Sequence, residues 1–244
     1  MDMTLKDIST QGAAWGAVLA MSLCVAMLIA SEFMPVSLLT PMAESLGATT
    51  GQTGQAISIS GLFAVIASLL ITTVAGTLNR KGVMLGITAL MLMSLVLVAL
   101  APNFTVLIIG RALLGLCIGG FWALATAVIM RLVPADDVPR ALALMYGGQA
   151  IAAAFAAPLG SYLGGLFGWR EVFWALVPIV ALNLMWLAAA LPSLPAERRG
   201  DFGSLLAVLR RPYFARGLLS AVLSWGSAFM MFTYVRPFLE QVTQ

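Results

Sequence analysis

Two ionisable side chains stand well inside long apolar runs: Glu32 in Ser31-Glu32-Phe33-Met34-Pro35, and Arg111 at the head of Arg111-Ala112-Leu113-Leu114-Gly115. A charge at membrane depth costs about 2.5–3.5 kcal/mol on insertion scales, so each must face protein or water and find a partner. At 1.5 Å of rise per helical residue, both lie roughly 10 Å below the same, outer surface of the membrane, Glu32 before the end of its run and Arg111 after the start of its own. The chemistry open to such a pair is proton uptake and release at the carboxylate beside a fixed cation. The alternative is a permanent ion pair that only fixes helix packing. Trp122, Tyr146, Gln149 and Asn183 are further polar or amphipathic groups at membrane depth, suited to hydrogen-bonding or stacking on a planar ligand. Together with Phe33, Tyr234 and Arg236, the first three form the candidate substrate cavity.

Other chemistries have no footing. The chain has no histidine, and its two cysteines, Cys24 and Cys117, sit far apart in apolar runs, which suits packing better than a disulfide or a metal pair. There is no HExxH, no phosphate-binding GxxxxGK[ST] and no cluster of carboxylates or thiols. We therefore expect no enzyme activity, no cofactor and no metal.

The elements that position these residues follow from composition. Only 9% of the 244 residues are charged while 61% are hydrophobic, the wrong balance for a soluble domain. Runs long enough to cross a hydrocarbon core of about 30 Å recur along the chain. We read spans at 13–39, 55–78, 83–101, 104–130, 141–167, 172–191 and 214–238, all helical, and no cleaved signal peptide. The breaks fall at Pro41 and Gly47, at Asn79–Gly82, at Pro102-Asn103 and at Pro134–Pro139.

Sorting basic residues by alternate loops places Lys6, Arg80, Lys81, Arg131, Arg140, Arg198, Arg199, Arg210, Arg211 and Arg216 on one side and Arg170 and Arg236 on the other. The positive-inside rule makes the crowded side, and with it the N-terminus, cytoplasmic. The formal charge of +3 is thus a topology signal rather than a nucleic-acid stripe. The expected partners are a small-molecule substrate, protons and the lipid bilayer, with no nucleic acid and no oligomer. The longest connection, 192–213, divides a six-helix bundle (1–191) from the seventh span (214–244).

Small residues recur at every fourth position on span five (Gly148, Ala152, Ala156, Gly160, Gly164) and at Gly115 and Gly119 on span four, a pattern that lets helix backbones approach closely. Small polar stripes on span two (Ser58, Gly61, Val65, Ser68, Thr72, Gly76) and span seven (Ser220, Ser224, Ser227, Tyr234) either line a cavity or glue helices. Interfacial anchoring suits Trp15, Trp169 and Trp225.

Several segments resemble the major facilitator superfamily. Ala75-Gly76-Thr77-Leu78-Asn79-Arg80-Lys81-Gly82 resembles its cytoplasmic G-x-x-x-D-R-x-G motif, with Asn79 in place of the Asp and Ala75 in place of the first Gly. In the family that Asp and Arg help latch one state, a role the resemblance leaves to Arg80 and Gly82. Arg111 and Gly115 look like the family's R-x-x-x-G, tied to proton transfer. Pro158 and Gly160, with Ala157 where Gly is usual, look like the exporter motif G-x-x-x-G-P-x-x-G. Gly168-Trp169-Arg170 with Phe173 matches the G-W-R-x-x-F entry to span six.

The pattern [ST]-E-F-x-P, here Ser31 to Pro35, is similar to the drug-proton antiporter group that includes arabinose, sugar and purine ribonucleoside exporters. The segments GGFWALATAVIMRLVP, APLGSYLGGLFGWREVF and TYVRPF look most like its bacterial purine ribonucleoside exporters. The resemblance implies a major facilitator fold, a three-plus-three inverted repeat in its first six helices, a bacterial inner-membrane location, and export of inosine, guanosine or related nucleosides against protons. Sugars or drugs are the alternative cargo. The family has twelve spans, so we expect a truncated chain whose function is that of a longer parent, with an inactive membrane remnant as the rival reading.

Overall fold

The computed structural model describes residues 13–196 and 211–242, apart from the side chains at 50, 72–74, 232–234, 236–237 and 239–241. Lys6, Arg198, Arg199 and Arg210, and the side chains of Thr72, Tyr234 and Arg236, therefore lie outside the described residues. The regular structure is helical throughout the described part: α1 (Trp15–Ser37), α2 (Leu39–Leu46), α3 (Thr50–Val74), α4 (Arg80–Ala99), α5 (Phe104–Ile129), a 3-10 turn (Ala135–Asp137), α6 (Val138–Phe167), α7 (Trp169–Ala190) and α8 (Pro212–Val242). Seven of these helices are long and apolar enough to cross a membrane. The chain is a multi-pass membrane protein.

The count of spans matches the expectation; several boundaries do not. The first span ends at Ser37, where the Leu38 N–H bonds the Pro35 carbonyl three residues back, and Leu38 leads into the short α2. Pro41 is no break, since it sits in the first turn of α2, where proline costs little. Gly47 does end that helix, taking φ 62° and donating its N–H to the Ala43 and Glu44 carbonyls. α3 begins at Thr50, earlier than its hydropathy, because the Thr49 hydroxyl accepts from the Gln52 N–H and so starts the helix. Asn79 and Asn103 cap α4 and α5 through their side-chain oxygens. Gly168, at φ 101°, makes the sharp corner between α6 and α7.

α1 and α5 form the centre, each 56% buried over its most apolar stretch, whereas that of α8 is 0% buried. α1 packs on α6 and α7, α3 on α5, and α4 on α5 and α7. Counted as spans, one packs on five as four packs on two, the pairing expected of a three-plus-three repeat.

The small-residue ladders make the two closest of these contacts. A methyl built on Gly115 would collide with the Ser60 carbonyl oxygen, and one on Gly119 with that of Ala64. On α6, Gly148 meets Ser22, Gly160 meets Ser37 and Met34, and Gly164 meets Leu38. The polar stripe of span two faces the other way, with Ser58, Gly61 and Val65 exposed.

Candidate coupling site

Three helices converge on one guanidinium. Arg111 is 1% exposed, on the α5 turn preceding Gly115. The close approach of α5 to α3 at Gly115 brings it within reach of α3: its Nε donates to the Ala56 carbonyl at 3.2 Å and its Nη2 to Ser60 Oγ at 3.0 Å. On the α1 side, Nη2 also donates to Glu32 Oε2 at 2.7 Å and Nη1 to the Ser31 carbonyl at 2.8 Å. Glu32 and Arg111, placed at matching depth by the sequence, form a buried ion pair.

Ser60 is the residue sequence reasoning missed. It is fully buried, and its Oγ lies 2.9 Å and 3.2 Å from the two Glu32 carboxylate oxygens and 2.7 Å from the Ile57 carbonyl. A hydroxyl carries one proton and accepts through its lone pairs. Ser60 can therefore donate to an ionised Glu32 or turn to Ile57, while accepting from Arg111 in both cases. The missed signal was its position: Ser60 points away from the exposed stripe of its helix and toward the glycines of α5. Arg111 is thus bonded to Ser31, Ala56 and Ser60 as well as to the Glu32 carboxylate.

The proposed cavity residues fall into separate groups. Trp122 and Tyr146 stack at 5.9 Å between ring centroids with 16° between planes, and Phe121 meets Trp122 edge-on. Trp122 lies eleven residues from Arg111 along α5, roughly 16 Å, near the end of the bundle that carries Arg80 and Arg131. Phe33 instead meets Phe229 of α8 edge-on at 5.7 Å, next to the ion pair. Gln149 is half-buried one turn from Tyr146 on α6. Asn183 is fully buried and its amide makes no hydrogen bond among the described residues. Trp169, read as an interfacial anchor, is buried instead, its Nε1 donating to Ser45 Oγ on α2 at 2.8 Å.

The motif residues are engaged within this same bundle. Asn79 Oδ1 accepts from the Lys81 and Leu194 amides, each at 3.0 Å, and Nδ2 donates to Ser193 Oγ at 2.6 Å. The Arg80 amide donates to the Leu194 carbonyl at 2.8 Å and its Nη1 to the Ala75 carbonyl at 2.7 Å, while Arg131 Nη1 donates to the Pro195 carbonyl at 2.9 Å. Residues 193–195 are thereby strapped across the ends of three helices. Gly82 faces open space. Pro158 lies inside α6. Arg170 stacks 4.2 Å over the Trp169 ring and donates to the Ala101 carbonyl at 2.9 Å.

A family model described as Major Facilitator Superfamily matches residues 21–244. The chain belongs to the major facilitator superfamily. Among relatives, it is 52% identical over 244 residues to the transcription regulatory protein OpdE of Pseudomonas aeruginosa, covering 98% of this chain and 61% of that one. It is 43% identical over 223 residues to the purine ribonucleoside efflux pump NepI of Salmonella typhimurium, covering 91% of this chain and 56% of the pump. The chain thus spans little more than half the length of these relatives.

Solved superfamily structures share the fold at low identity. A bacterial homologue of the human lysosomal transporter Spinster, inward-facing and unoccupied, superposes with a TM-score of 0.75 at 19% identity, over 96% of this chain and 57% of that one. A peptide transporter with bound sulfate gives 0.70 at 13% identity, over 99% of this chain and 51% of that one.

Proposed function

We propose that this chain is the N-terminal part of a proton-coupled exporter of purine ribonucleosides in a bacterial inner membrane. The observation that carries the reading is the buried Glu32–Arg111 pair with Ser60, a carboxylate held where it can change protonation without stranding its cation. The 43% identity to a purine ribonucleoside efflux pump supports the cargo. In this reading residues 1–191 form the first six-helix bundle, 192–213 the cytoplasmic connection and 214–244 the first helix of a second bundle. The excess of basic residues at the Arg80 and Arg131 end sets the N-terminus in the cytoplasm.

Glu32 takes a proton from outside, loses its charge-assisted bond to Arg111, and thereby changes the balance between the two orientations of the bundle. The purine stacks on the exposed side of Tyr146, backed by Trp122, with Gln149 one turn away to hydrogen-bond its edge. Arg111 stays in place throughout, and no group other than Glu32 need carry the proton.

The test is uptake of labelled inosine into inverted membrane vesicles carrying the full-length gene product. Uptake driven by an imposed proton gradient, and loss of that drive in Glu32→Gln, are the expected results. Uptake indifferent both to collapse of the gradient and to Glu32→Gln would refute the coupling. The name of the Pseudomonas aeruginosa relative points to gene regulation. That reading predicts no inosine flux at any gradient, so the same assay separates the two.

A further inference from the structure

The Ser31 carbonyl is where a backbone decision reaches the coupling site. In an uninterrupted helix the carbonyl of residue 31 accepts the amide of residue 35. Residue 35 is proline, inside α1, and has no amide to give. The orphaned carbonyl is the one that accepts Arg111 Nη1 at 2.8 Å. The Ser31 hydroxyl is engaged elsewhere, donating to the Met27 carbonyl at 2.6 Å, so α1 holds the guanidinium through a main-chain oxygen and the Glu32 carboxylate. Only the second of these can lose its charge.

We propose that Pro35 is a positioning residue for the coupling site: by withholding an amide it leaves the Ser31 carbonyl to Arg111, and so ties the guanidinium to α1 by a contact independent of the charge on Glu32. When Glu32 is neutralised, Arg111 keeps Ser31 on α1 and Ala56 and Ser60 on α3, and the three helices stay joined. Within the coupling site, proton uptake then breaks one contact only, and the bundle changes orientation with α1, α3 and α5 still joined. The functional part of this inference rests on the coupling role of Glu32 proposed above; the tether itself does not.

The experiment compares Pro35→Ala with a backbone ester at position 35, in which an α-hydroxy acid removes the N–H without restoring the ring. Both are made in the full-length protein. Helix propensity alone would make alanine the better residue at an interior position. Instead, Pro35→Ala is expected to lower the initial rate of proton-driven export by about tenfold or more, the scale of one charge-assisted hydrogen bond, with apparent KM nearly unchanged. The ester should restore most of that rate, because it again leaves the carbonyl free.

Unfolding midpoints give a second readout that needs no transport. Pro35→Ala should lower the midpoint in the parent protein and raise or leave it unchanged in an Arg111→Lys background, where the forked donor is gone. A Pro35→Ala protein with the parent's rate and midpoint would overturn the inference, as would an ester as impaired as the alanine variant, which would assign the effect to the ring. If Glu32→Gln retains proton drive, the coupling reading fails while the midpoint cycle still decides the tether.

Discussion

Gly115→Ala should separate α5 from α3 and dismantle the coupling site from one turn away. The added methyl would overlap the Ser60 carbonyl oxygen and lie 2.9 Å from both the Ser60 carbonyl carbon and Phe63 Cβ. The overlapping atoms are largely backbone and cannot swing aside, so restoring ordinary contact requires the helices to part by about 1 Å. Arg111 already spans 3.2 Å to the Ala56 carbonyl and 3.0 Å to Ser60 Oγ. The same displacement takes both to about 4 Å, beyond hydrogen-bonding range.

Overpacking costs about 1–3 kcal/mol, and loosening the two Arg111 bonds adds about 1–3 kcal/mol. Alanine's helix preference over glycine returns about 1 kcal/mol. The net loss is roughly 1–5 kcal/mol, readable as a lower unfolding midpoint of the purified protein in lipid nanodiscs, together with loss of proton-driven export. Gly61→Ala is the internal control, because nothing lies within 4 Å of its added methyl; it should be neutral or stabilising by up to about 1 kcal/mol. If Gly115→Ala behaves like Gly61→Ala in both measurements, the helix contact does not hold the site together.

Ser60→Ala removes a buried hydroxyl that both Arg111 and Glu32 use, and should cost about 1–3 kcal/mol of stability and slow export, whereas Ser60→Thr keeps the oxygen and should preserve both; thermal unfolding and vesicle flux are the measurements. Asn79→Ala deletes the α4 cap and the bonds to Ser193 and Leu194, so trypsin should cut the connection at Arg198 or Arg199 faster, and Asn79→Asp, which can accept the same amides, should slow it again. Tyr146→Ala should raise the apparent KM for inosine by about tenfold, the scale of one base–aromatic stack, while leaving the drive by the proton gradient intact.

What could be read from the sequence was whatever a membrane makes costly. Seven spans were legible because each needs a long apolar run, and Glu32 and Arg111 because a lone charge at depth demands a partner. Ser60 was not, since a hydroxyl in an apolar helix is unremarkable until the helix facing it is known. The role of Asn79 was hidden for a different reason: its partner Ser193 is 114 residues away in sequence, and against the superfamily motif Asn79 stands out as a missing charge rather than as an amide that both donates and accepts. α2 escaped because eight residues after a proline make too short a run to separate from the span before it. The small-residue ladders were correctly placed, but only the structure shows which backbone each one meets.

The strap at residues 193–195 changes where load enters the first bundle. The chain leaves α7 at Ala190, yet Leu194 and Pro195 are fastened to the α3–α4 corner and to the end of α5 through Asn79, Arg80 and Arg131. Tension on the polypeptide beyond Pro195 is therefore resisted first by α3, α4 and α5 and only then by α7. α3 and α5 are also the helices that carry Ser60 and Arg111. Force arriving at Pro195 therefore pulls on the two helices whose separation the coupling site measures.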